Sequence, residues 1–401
     1  MGIYCSDATG QNRVGDRLKI VLIHHYYKNG SASGENTVVD AHVSALRNNG
    51  HQVTLISEDS KKIESSWILM LKTGISWATN LGNNPLRQIK KLKPDLIIIH
   101  NLYPGFSSRW MNKINIPKLY WLHNYRFFCI AATFIFKNQE CLLCAKKISY
   151  KSLLRKCADG SVPKTIFTFL RLKINRKLPE QSNLDQWISV SPKAKKLFLQ
   201  TPLDKHRVSM IPNFVEQVPL KRESNRENKW VFVGRLVPEK GILALVASIP
   251  ESIVLDIFGD GPAREQLEAL ASSRKNVHIK GDFSRDSLLA LLPNYSGGFV
   301  PSLGIEGIPT TFLEFASAGL PIIGWSVNST SDYIDQYRCG VTLNSFNQED
   351  IAAAIKEIEN NIAFYSQNSL RMWESEFSES RWVERVNKLF ESVLGLKDQE
   401  S

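Results

Sequence analysis

Two glutamates in the second half of the chain, Glu306 and Glu314, are separated by seven residues. Pro309 stands between them, and proline is favoured as the first residue of a helix. This spacing predicts a helix that begins near Pro309, with Glu306 in the preceding loop and Glu314 about a turn and a half inside. Because N–H groups at a helix start favour anions, the site suits a phosphate with hydroxyl groups beside it. The alternative is an ordinary pair of solvated acids.

A basic loop is predicted near the start of the second half, in the sequence VFVGRLVPEKG. Gly234 and Arg235 end a predicted strand there, and Lys240 begins a helix. Ligands bind at the carboxyl ends of strands in open α/β sheets. Arginine offers a planar fork and lysine a point charge, so together they can hold a diphosphate. The alternative is a solvated turn.

A glycine-containing turn, Phe258 to Pro262, follows another predicted strand. Gly259 and Gly261 begin a dinucleotide-binding pattern, and Asp282 lies about twenty residues further on, where a ribose-binding acid is expected. Arg264, however, occupies the third glycine position, where close packing of helix on strand requires glycine. The dinucleotide fingerprint is therefore incomplete.

The first half of the chain offers a polar loop and two strand-end histidines. Gly30 and Gly34 lie between the first predicted strand and helix, where glycine lets backbone approach a ligand, although a plain turn fits equally well. His123, followed by Asn124, and His100 each end an apolar strand pattern. Strand-end position favours a functional role for His123 more than for His100.

The motifs Glu306-x7-Glu314, G-R-x-x-x-E-K-G and G-x-G-P together resemble those of family 4 glycosyltransferases, which are retaining enzymes with two Rossmann-like domains, the GT-B fold. The resemblance implies that Glu306 and His123 act at the transferred sugar. It also implies an acceptor-side loop that includes Gly30, Gly34 and Asn124. The implied donor-binding set is Gly234, Arg235, Lys240, Gly259, Gly261, Ile308, Pro309, Thr310 and Glu314.

The implied activity is transfer of a hexose from a nucleotide-diphosphate sugar to a saccharide or lipid-linked acceptor, in cell-surface polysaccharide synthesis. The chain contains no Asp-x-Asp sequence that would clamp Mg²⁺ on the diphosphate, so no cofactor is expected in catalysis. Two other classes stay open. One is a dinucleotide-dependent oxidoreductase built on Gly259, and the other is a basic RNA-binding protein, although no nucleic-acid motif is present and no nucleic-acid partner is expected.

Alternating strand and helix patterns in both halves predict two doubly wound α/β domains that face each other across a cleft. We expect an acceptor-side domain over residues 1–211, a nucleotide-sugar domain over 212–378, and a last helix within 379–401 that returns to the first domain. Residues 125–179 have weak strand periodicity and are expected to form an insertion in the first domain.

Charge is unevenly distributed along the chain. Residues 1–205 carry 31 Lys and Arg against 13 Asp and Glu, a net of +18, while the remainder carries a net of −7. A basic half suggests an anionic membrane surface as a partner. The start of the chain shows no signal-peptide pattern, so we expect a cytoplasmic protein, peripheral at the inner membrane face.

Four of the six cysteines lie close together in the sequence, as C-x11-C-x2-C-x12-C: Cys129, Cys141, Cys144 and Cys157. Four thiolates at such spacing could hold a structural Zn²⁺ ion in the insertion. Reduced, partly buried thiols fit the same pattern equally well.

Overall fold

The computed structural model describes residues 17–26, 34–59, 82–103, 105–137, 139–158, 160–175, 183–219 and 228–395. Gly30 lies outside these residues, so its predicted role stays a prediction. Within the described chain, two six-stranded parallel sheets form two α/β domains, as the alternating pattern predicted.

The first sheet has the strand order β2-β1-β3-β4-β7-β8. Its strands are β1 (Lys19–Tyr26), β2 (Gln52–Asp59), β3 (Leu96–Asn101), β4 (Lys118–Leu122), β7 (Gln186–Ser189) and β8 (Val208–Met210). Between β4 and β7 the chain forms a two-stranded antiparallel hairpin of β5 (Ile135–Phe136) and β6 (Gln139–Glu140).

The second sheet has the order β11-β10-β9-β12-β13-β14. Its strands are β9 (Lys229–Val233), β10 (Val254–Phe258), β11 (Val277–Gly281), β12 (Gly297–Val300), β13 (Ile322–Trp325) and β14 (Gly340–Leu343). In each sheet the strand order reverses beside the first strand, between β1 and β3 and between β9 and β12. Ligands of doubly wound sheets bind in the crevice at that reversal.

Helices cover both faces of the sheets. The α-helices are α1 (Gly34–Asn48), α2 (Leu86–Leu92), α3 (Lys151–Leu154), α4 (Val162–Asn175), α5 (Pro192–Phe198), α6 (Ile242–Ser248), α7 (Arg264–Ala271), α8 (Arg285–Leu291), α9 (Thr310–Ser317), α10 (Ser331–Tyr337), α11 (Gln348–Asn360), α12 (Ile362–Met372) and α13 (Glu379–Gly395). Short 3₁₀ turns cover Met111–Lys113, Lys205–Arg207, Pro238–Lys240 and Leu292–Asn294, and a π turn covers Trp373–Phe377.

Central strands are apolar because both of their faces are buried. In β3, Ile97 and Ile99 join one apolar cluster, while Leu96 and Ile98 join the cluster on the opposite face. This alternation follows from the two-residue period of a strand. Parallel sheets covered on both sides need such continuous apolar runs, which is why the sequence pattern identified the central strands.

The last helix, α13, packs on the first sheet although it follows the second domain in sequence. Trp382, Val386 and Phe390 are buried in the same cluster as Ile20 and Trp121 of the first sheet. The helix therefore covers one face of the first sheet.

Residues of the predicted insertion form a small separate core. Ile130, Cys144, Phe169 and Leu172 pack together away from the sheet, with Cys157 against them. No helix in the described part of the chain is both long and apolar enough to cross a bilayer.

Candidate functional site

A pocket opens between the two domains, at the carboxyl ends of the second sheet. Gly234 and Arg235, which follow β9, line it together with Gly259 after β10 and Glu314 on α9; Gly34 reaches it from the first domain. Its empty volume is about 590 Å³, a value that includes open solvent at the mouth.

The helix carrying Glu314 begins one residue later than predicted. Pro309 is its N-cap residue, with extended backbone, and Thr310 is the first helical residue. Thr310 lines the pocket, whereas Ile308 is buried in the core of the second domain. No side chain within the described residues caps this helix start. Its first N–H groups therefore stay available to an anion.

Glu314 forms an ion pair that sequence reasoning did not anticipate. Its Oε1 lies 3.1 Å from the Nε of Arg285, at the start of α8. Burial raises the pKa of Glu314, and the nearby Arg285 guanidinium opposes that shift. The pair places a basic side chain on the pocket wall, and no motif in the sequence marked Arg285.

Glu306 lies in the loop after β12 and is bound by a residue that follows the neighbouring strand, β9. Its Oε2 accepts a hydrogen bond of 2.7 Å from the Nζ of Lys240, in the 3₁₀ turn after β9. Both side chains are about one quarter exposed. Ser329 donates its hydroxyl proton to the backbone carbonyl of Glu306. The loop acid is thus fixed by one cation and one hydroxyl, yet stays open to solvent.

The glycine turn after β10 packs directly on the basic turn after β9. A Cβ atom on Gly259 would lie 2.0 Å from the carbonyl oxygen of Gly234, and one on Gly261 would lie 2.5 Å from that of Leu236. Gly259 also has a φ of +137°, which residues other than glycine rarely adopt. These glycines let the two loops share one pocket wall.

Arg264, at the third position of the dinucleotide pattern, is the first residue of α7 and is exposed. Its Nε lies 2.8 Å from Oε1 of Glu268, and its Nη1 lies 3.5 Å from Oδ1 of Asp260. Asp282, the candidate ribose acid of that pattern, lines the pocket. The arginine therefore belongs to a surface ion-pair group rather than to a packed helix–strand contact.

Two glycines bring the domains into contact across the cleft. A Cβ atom on Gly34, at the start of α1, would lie 3.1 Å from Oγ1 of Thr310. One on Gly307 would lie 2.7 Å from Val190 and 3.5 Å from the carbonyl oxygen of His123. The loop carrying Glu306 therefore stands against the strand end that carries His123.

His123 belongs to a group of histidines at the carboxyl ends of β1, β3 and β4. Its Nε2 lies 2.8 Å from Nδ1 of His100, and the Nε2 of His24 lies 3.1 Å from Oδ1 of Asn36. Burial lowers the pKa of His123 to about 3 and that of His24 to about 4. These imidazoles are therefore neutral near pH 7 and can share hydrogen bonds without charge repulsion.

A further acid, Glu35, lies beside the histidines and was missed by sequence reasoning. Burial raises its pKa to about 7, and the charge of Arg126 and a hydrogen bond with Asn124 oppose that shift. Asn124 also accepts a hydrogen bond of 3.1 Å from the backbone N–H of Arg126. The predicted acceptor-side residue Asn124 thus contacts the side chain of Glu35 and the backbone of Arg126.

The predicted zinc site of the four cysteines finds no support in the described part of the chain. Across the described residues, no three His, Cys, Asp or Glu side chains are grouped so that they could hold a metal ion. Cys129 packs against the core of the first sheet, whereas Cys144 and Cys157 pack in the small core of the insertion. Burial raises the pKa of Cys157 to about 11, and the nearby thiols of Cys129, Cys144 and Cys141 raise it further. The zinc interpretation is therefore not supported among the described residues, and the packing fits the alternative of reduced, partly buried thiols.

Comparison with known proteins gives two family matches that together span most of the chain. The profile described as "Glycosyltransferase Family 4" matches residues 32–217, and the one described as "Glycosyl transferases group 1" matches residues 216–372. The chain belongs to glycosyltransferase family 4. The boundary between the two matches falls where the chain passes from the first sheet to the second.

Solved structures similar to this family 4 chain share its fold. Sucrose-phosphate synthase from Thermosynechococcus elongatus aligns with a TM-score of 0.68 and 16% identity over 95% of this chain and 100% of that one. Anabaena Alr3699/HepE in complex with UDP and glucose aligns with a TM-score of 0.62 and 14% identity over 94% and 100%. These likenesses identify the two-domain architecture as GT-B.

A curated relative is the GDP-mannose-dependent alpha-(1-6)-phosphatidylinositol monomannoside mannosyltransferase of Mycobacterium tuberculosis. It is 23% identical over 225 residues, which are 52% of this family 4 chain and 55% of the relative. The chain thus spans about half the length of the curated relatives it matches. None of these proteins supports an oxidoreductase or an RNA-binding protein.

Proposed function

We propose that this protein transfers a hexose from a nucleotide-diphosphate sugar to a hydroxyl of a saccharide or lipid-linked acceptor, with retention of anomeric configuration, in cell-surface polysaccharide synthesis. The observation that carries the proposal is the interdomain pocket, where Arg235, the uncapped start of α9 and the buried Glu314 face one space. An anionic group with adjacent hydroxyls is the ligand that such a wall fits.

Each wall of the pocket has a role in this proposal. Arg235 and the first N–H groups of α9 hold the diphosphate, and Glu314 accepts hydrogen bonds from the ribose hydroxyls. Glu306 contacts the transferred sugar. Lys240, which donates a hydrogen bond to Glu306 in this structure, moves between that acid and the diphosphate. Two of the similar proteins support a nucleotide-sugar donor here. One is a GDP-mannose-dependent mannosyltransferase, and the other was solved in complex with UDP and glucose.

The first domain supplies the acceptor side. His123 and the Glu306 loop meet across the cleft, so the acceptor hydroxyl would enter between them. In the proposed reaction the bond from the anomeric carbon to the diphosphate oxygen breaks, and the acceptor oxygen bonds to that carbon on the same face. The departing phosphate takes the hydroxyl proton. Arg235 and Lys240 stabilise the charge that develops on the leaving group.

A screen of nucleotide sugars tests the proposal. We expect one donor class to raise the melting temperature and to be hydrolysed or transferred, with product of the donor's anomeric configuration by NMR. Glu306→Gln should keep nucleoside-diphosphate binding and lose most of the turnover, because the acid acts mainly in the transition state. Stabilisation by a reduced nicotinamide cofactor alone would instead favour the oxidoreductase.

We also propose that the protein works at the cytoplasmic face of a membrane. The net charge of +18 on residues 1–205 supports this, since each basic residue near an anionic leaflet adds about 1 kcal/mol of attraction. A lipid-linked acceptor would then be presented at the surface that carries the first domain.

A further inference from the structure

Exposed apolar side chains are concentrated in the insertion. Of the eight large apolar side chains that are exposed among the described residues, five lie between residues 150 and 170. They are Tyr150, Leu154, Val162, Ile166 and Leu170, and we call them the insertion face. Leu154 is 84% exposed and Tyr150 is 66% exposed, and exposed apolar side chains that are grouped, unlike single ones, mark interaction sites.

The five side chains belong to one continuous structure. Val162, Ile166 and Leu170 are four residues apart on α4, a spacing that places them along one side of a helix. Tyr150, which precedes α3, packs its ring on Phe169 of α4, with the ring centroids 5.1 Å apart. The short helix α3 and the long helix α4 therefore present their exposed apolar groups from one packed unit.

Basic side chains accompany the insertion face. From Cys141 to Asn175 the sequence holds eight Lys and Arg and one acid, Asp159. Lys146, Lys147, Lys151 and Lys156 are exposed around the apolar side chains of α3. Apolar groups with a basic surround are the composition of helices that lie in the interface of an anionic bilayer.

The opposite side of α4 reaches the acceptor side of the cleft. The guanidinium of Arg171, which is 2% exposed, lies 3.7 Å from the centre of the Tyr103 ring. Tyr103 lines a small recess together with His123 and Asn124. The insertion face and the candidate acceptor site are therefore separated by the thickness of one helix.

We propose that the insertion face is the surface by which this protein docks on an anionic lipid bilayer. The apolar side chains enter the interfacial layer and the surrounding lysines contact anionic headgroups. The inference rests on the proposed function, because docking there holds the acceptor side of the cleft next to lipid-linked saccharides. Pairing of two copies through this face would set two groups of like charges against each other, which disfavours self-association.

Flotation of the full chain with vesicles tests the proposal. Wild-type protein should bind vesicles of phosphatidylcholine with phosphatidylglycerol much more tightly than vesicles of phosphatidylcholine alone, and salt should weaken that binding. The combined variant Leu154→Ser, Ile166→Ser, Leu170→Ser should lose about tenfold or more of the affinity for anionic vesicles. The control Leu270→Ser, Leu291→Ser removes two apolar groups that are 39% and 43% exposed in the second domain and should bind like wild type.

A second pair of variants, one test and one control, measures the contribution of charge. Replacing Lys147, Lys151 and Lys156 by Gln removes three exposed positive charges close to the insertion face in sequence and should weaken binding about tenfold or more. Replacing Arg87, Lys90 and Lys91 by Gln, on the exposed side of α2 in the same domain, should have a small effect.

Several outcomes would overturn the inference. Equal losses in the two Lys and Arg variants, with no loss in the triple serine variant, would mean that net charge alone binds the bilayer. A concentration-dependent dimer that the triple serine variant abolishes would identify a second copy as the occupant. Thermal melting checks that each variant folds. Nucleotide-sugar turnover in solution is measured separately, so a failure of the proposed function stays distinguishable from a failure of docking.

Discussion

The Nδ1 atom of His100 lies 2.8 Å from the Nε2 atom of His123, with the two rings nearly parallel. Burial lowers the pKa of both imidazoles, so both are neutral at physiological pH and one donates a hydrogen bond to the other. A hydrogen bond to one ring nitrogen of a histidine sets which nitrogen carries the proton. The pair therefore fixes the orientation of His123 at the cleft.

Replacing His100 by Leu should reduce transfer about tenfold or more, because His123 loses its positioning partner. Asn, whose side chain can place a polar atom near the position of Nδ1, should restore part of the rate. Steady-state kinetics and nucleotide calorimetry make the comparison. Equal rates for the Leu and Asn variants, or parallel losses of nucleotide affinity, would argue for a structural role alone.

Acid should destabilise the protein from about pH 6.5 downward, because the folded state keeps its interior histidines neutral while the unfolded chain protonates them. Folded pKa values of about 4 for His24 and His25 lie below the usual value, so stability is complete above about pH 6.5 and is lost as pH falls. Each such group contributes ~1.4 kcal/mol per pH unit within that window.

His42 tests this argument, because its ring packs against the rings of Phe214 and Trp382 and neither ring nitrogen has a hydrogen-bond partner among the described residues. His42→Leu should reduce the slope of melting temperature against pH by the contribution of one histidine. A constant packing cost shifts the whole curve and leaves its slope unchanged. An unaltered slope would contradict the assignment.

Gly259→Ala should disrupt the donor wall, since the new Cβ would meet the carbonyl oxygen of Gly234 at 2.0 Å and the backbone would be strained. We expect a loss of ~1–3 kcal/mol of stability together with weak nucleotide binding. Gly304→Ala is the control, because no atom lies within 4 Å of its added Cβ. Thermal melting and calorimetry should separate the two; indistinguishable variants would show that the turn tolerates a side chain.

Arg235→Ala should weaken binding of nucleoside diphosphates by ~1–3 kcal/mol and leave nucleoside binding almost unchanged, as for loss of a hydrogen bond to a charged group. Arg264→Ala removes an exposed arginine from the neighbouring helix and should affect neither ligand. Titration calorimetry with both ligands gives the difference. Equal losses for the two ligands would mean that Arg235 does not contact the diphosphate.

Glu35→Gln should stabilise the protein at alkaline pH and have little effect at acid pH. The folded pKa of about 7 lies above the unfolded value, so the native carboxyl binds more protons and stability falls as pH rises between those values. The amide is neutral throughout, and its gain should reach ~1–3 kcal/mol above about pH 8. Denaturant unfolding at two pH values measures it; a gain that is the same at both would contradict the raised pKa.

The central strands and the order of domains were predictable because buried parallel strands carry continuous apolar runs. The edge strands β8 and β14 were not predicted, since Val208–Met210 and Gly340–Leu343 are short and partly polar. Local patterns likewise located the strand ends that carry Arg235 and His123.

Contacts between distant segments left little trace in the sequence. Arg285 meets Glu314, and Glu35 meets Asn124, only once the helices are packed. The cysteine spacing suggested a ligand set, but spacing gives no information on which apolar cluster each thiol joins.

The position of α13 has a consequence for biosynthesis. Trp121 and Ile20 belong to the first half of the chain, yet Trp382 and Phe390, which cover them, follow the second domain in sequence. A growing chain therefore completes the second domain before the first domain can bury that face. Until α13 has been made, this apolar surface is open to chaperones or to aggregation. Truncations that end before Glu379 should accordingly yield insoluble protein, even though they retain the candidate donor pocket.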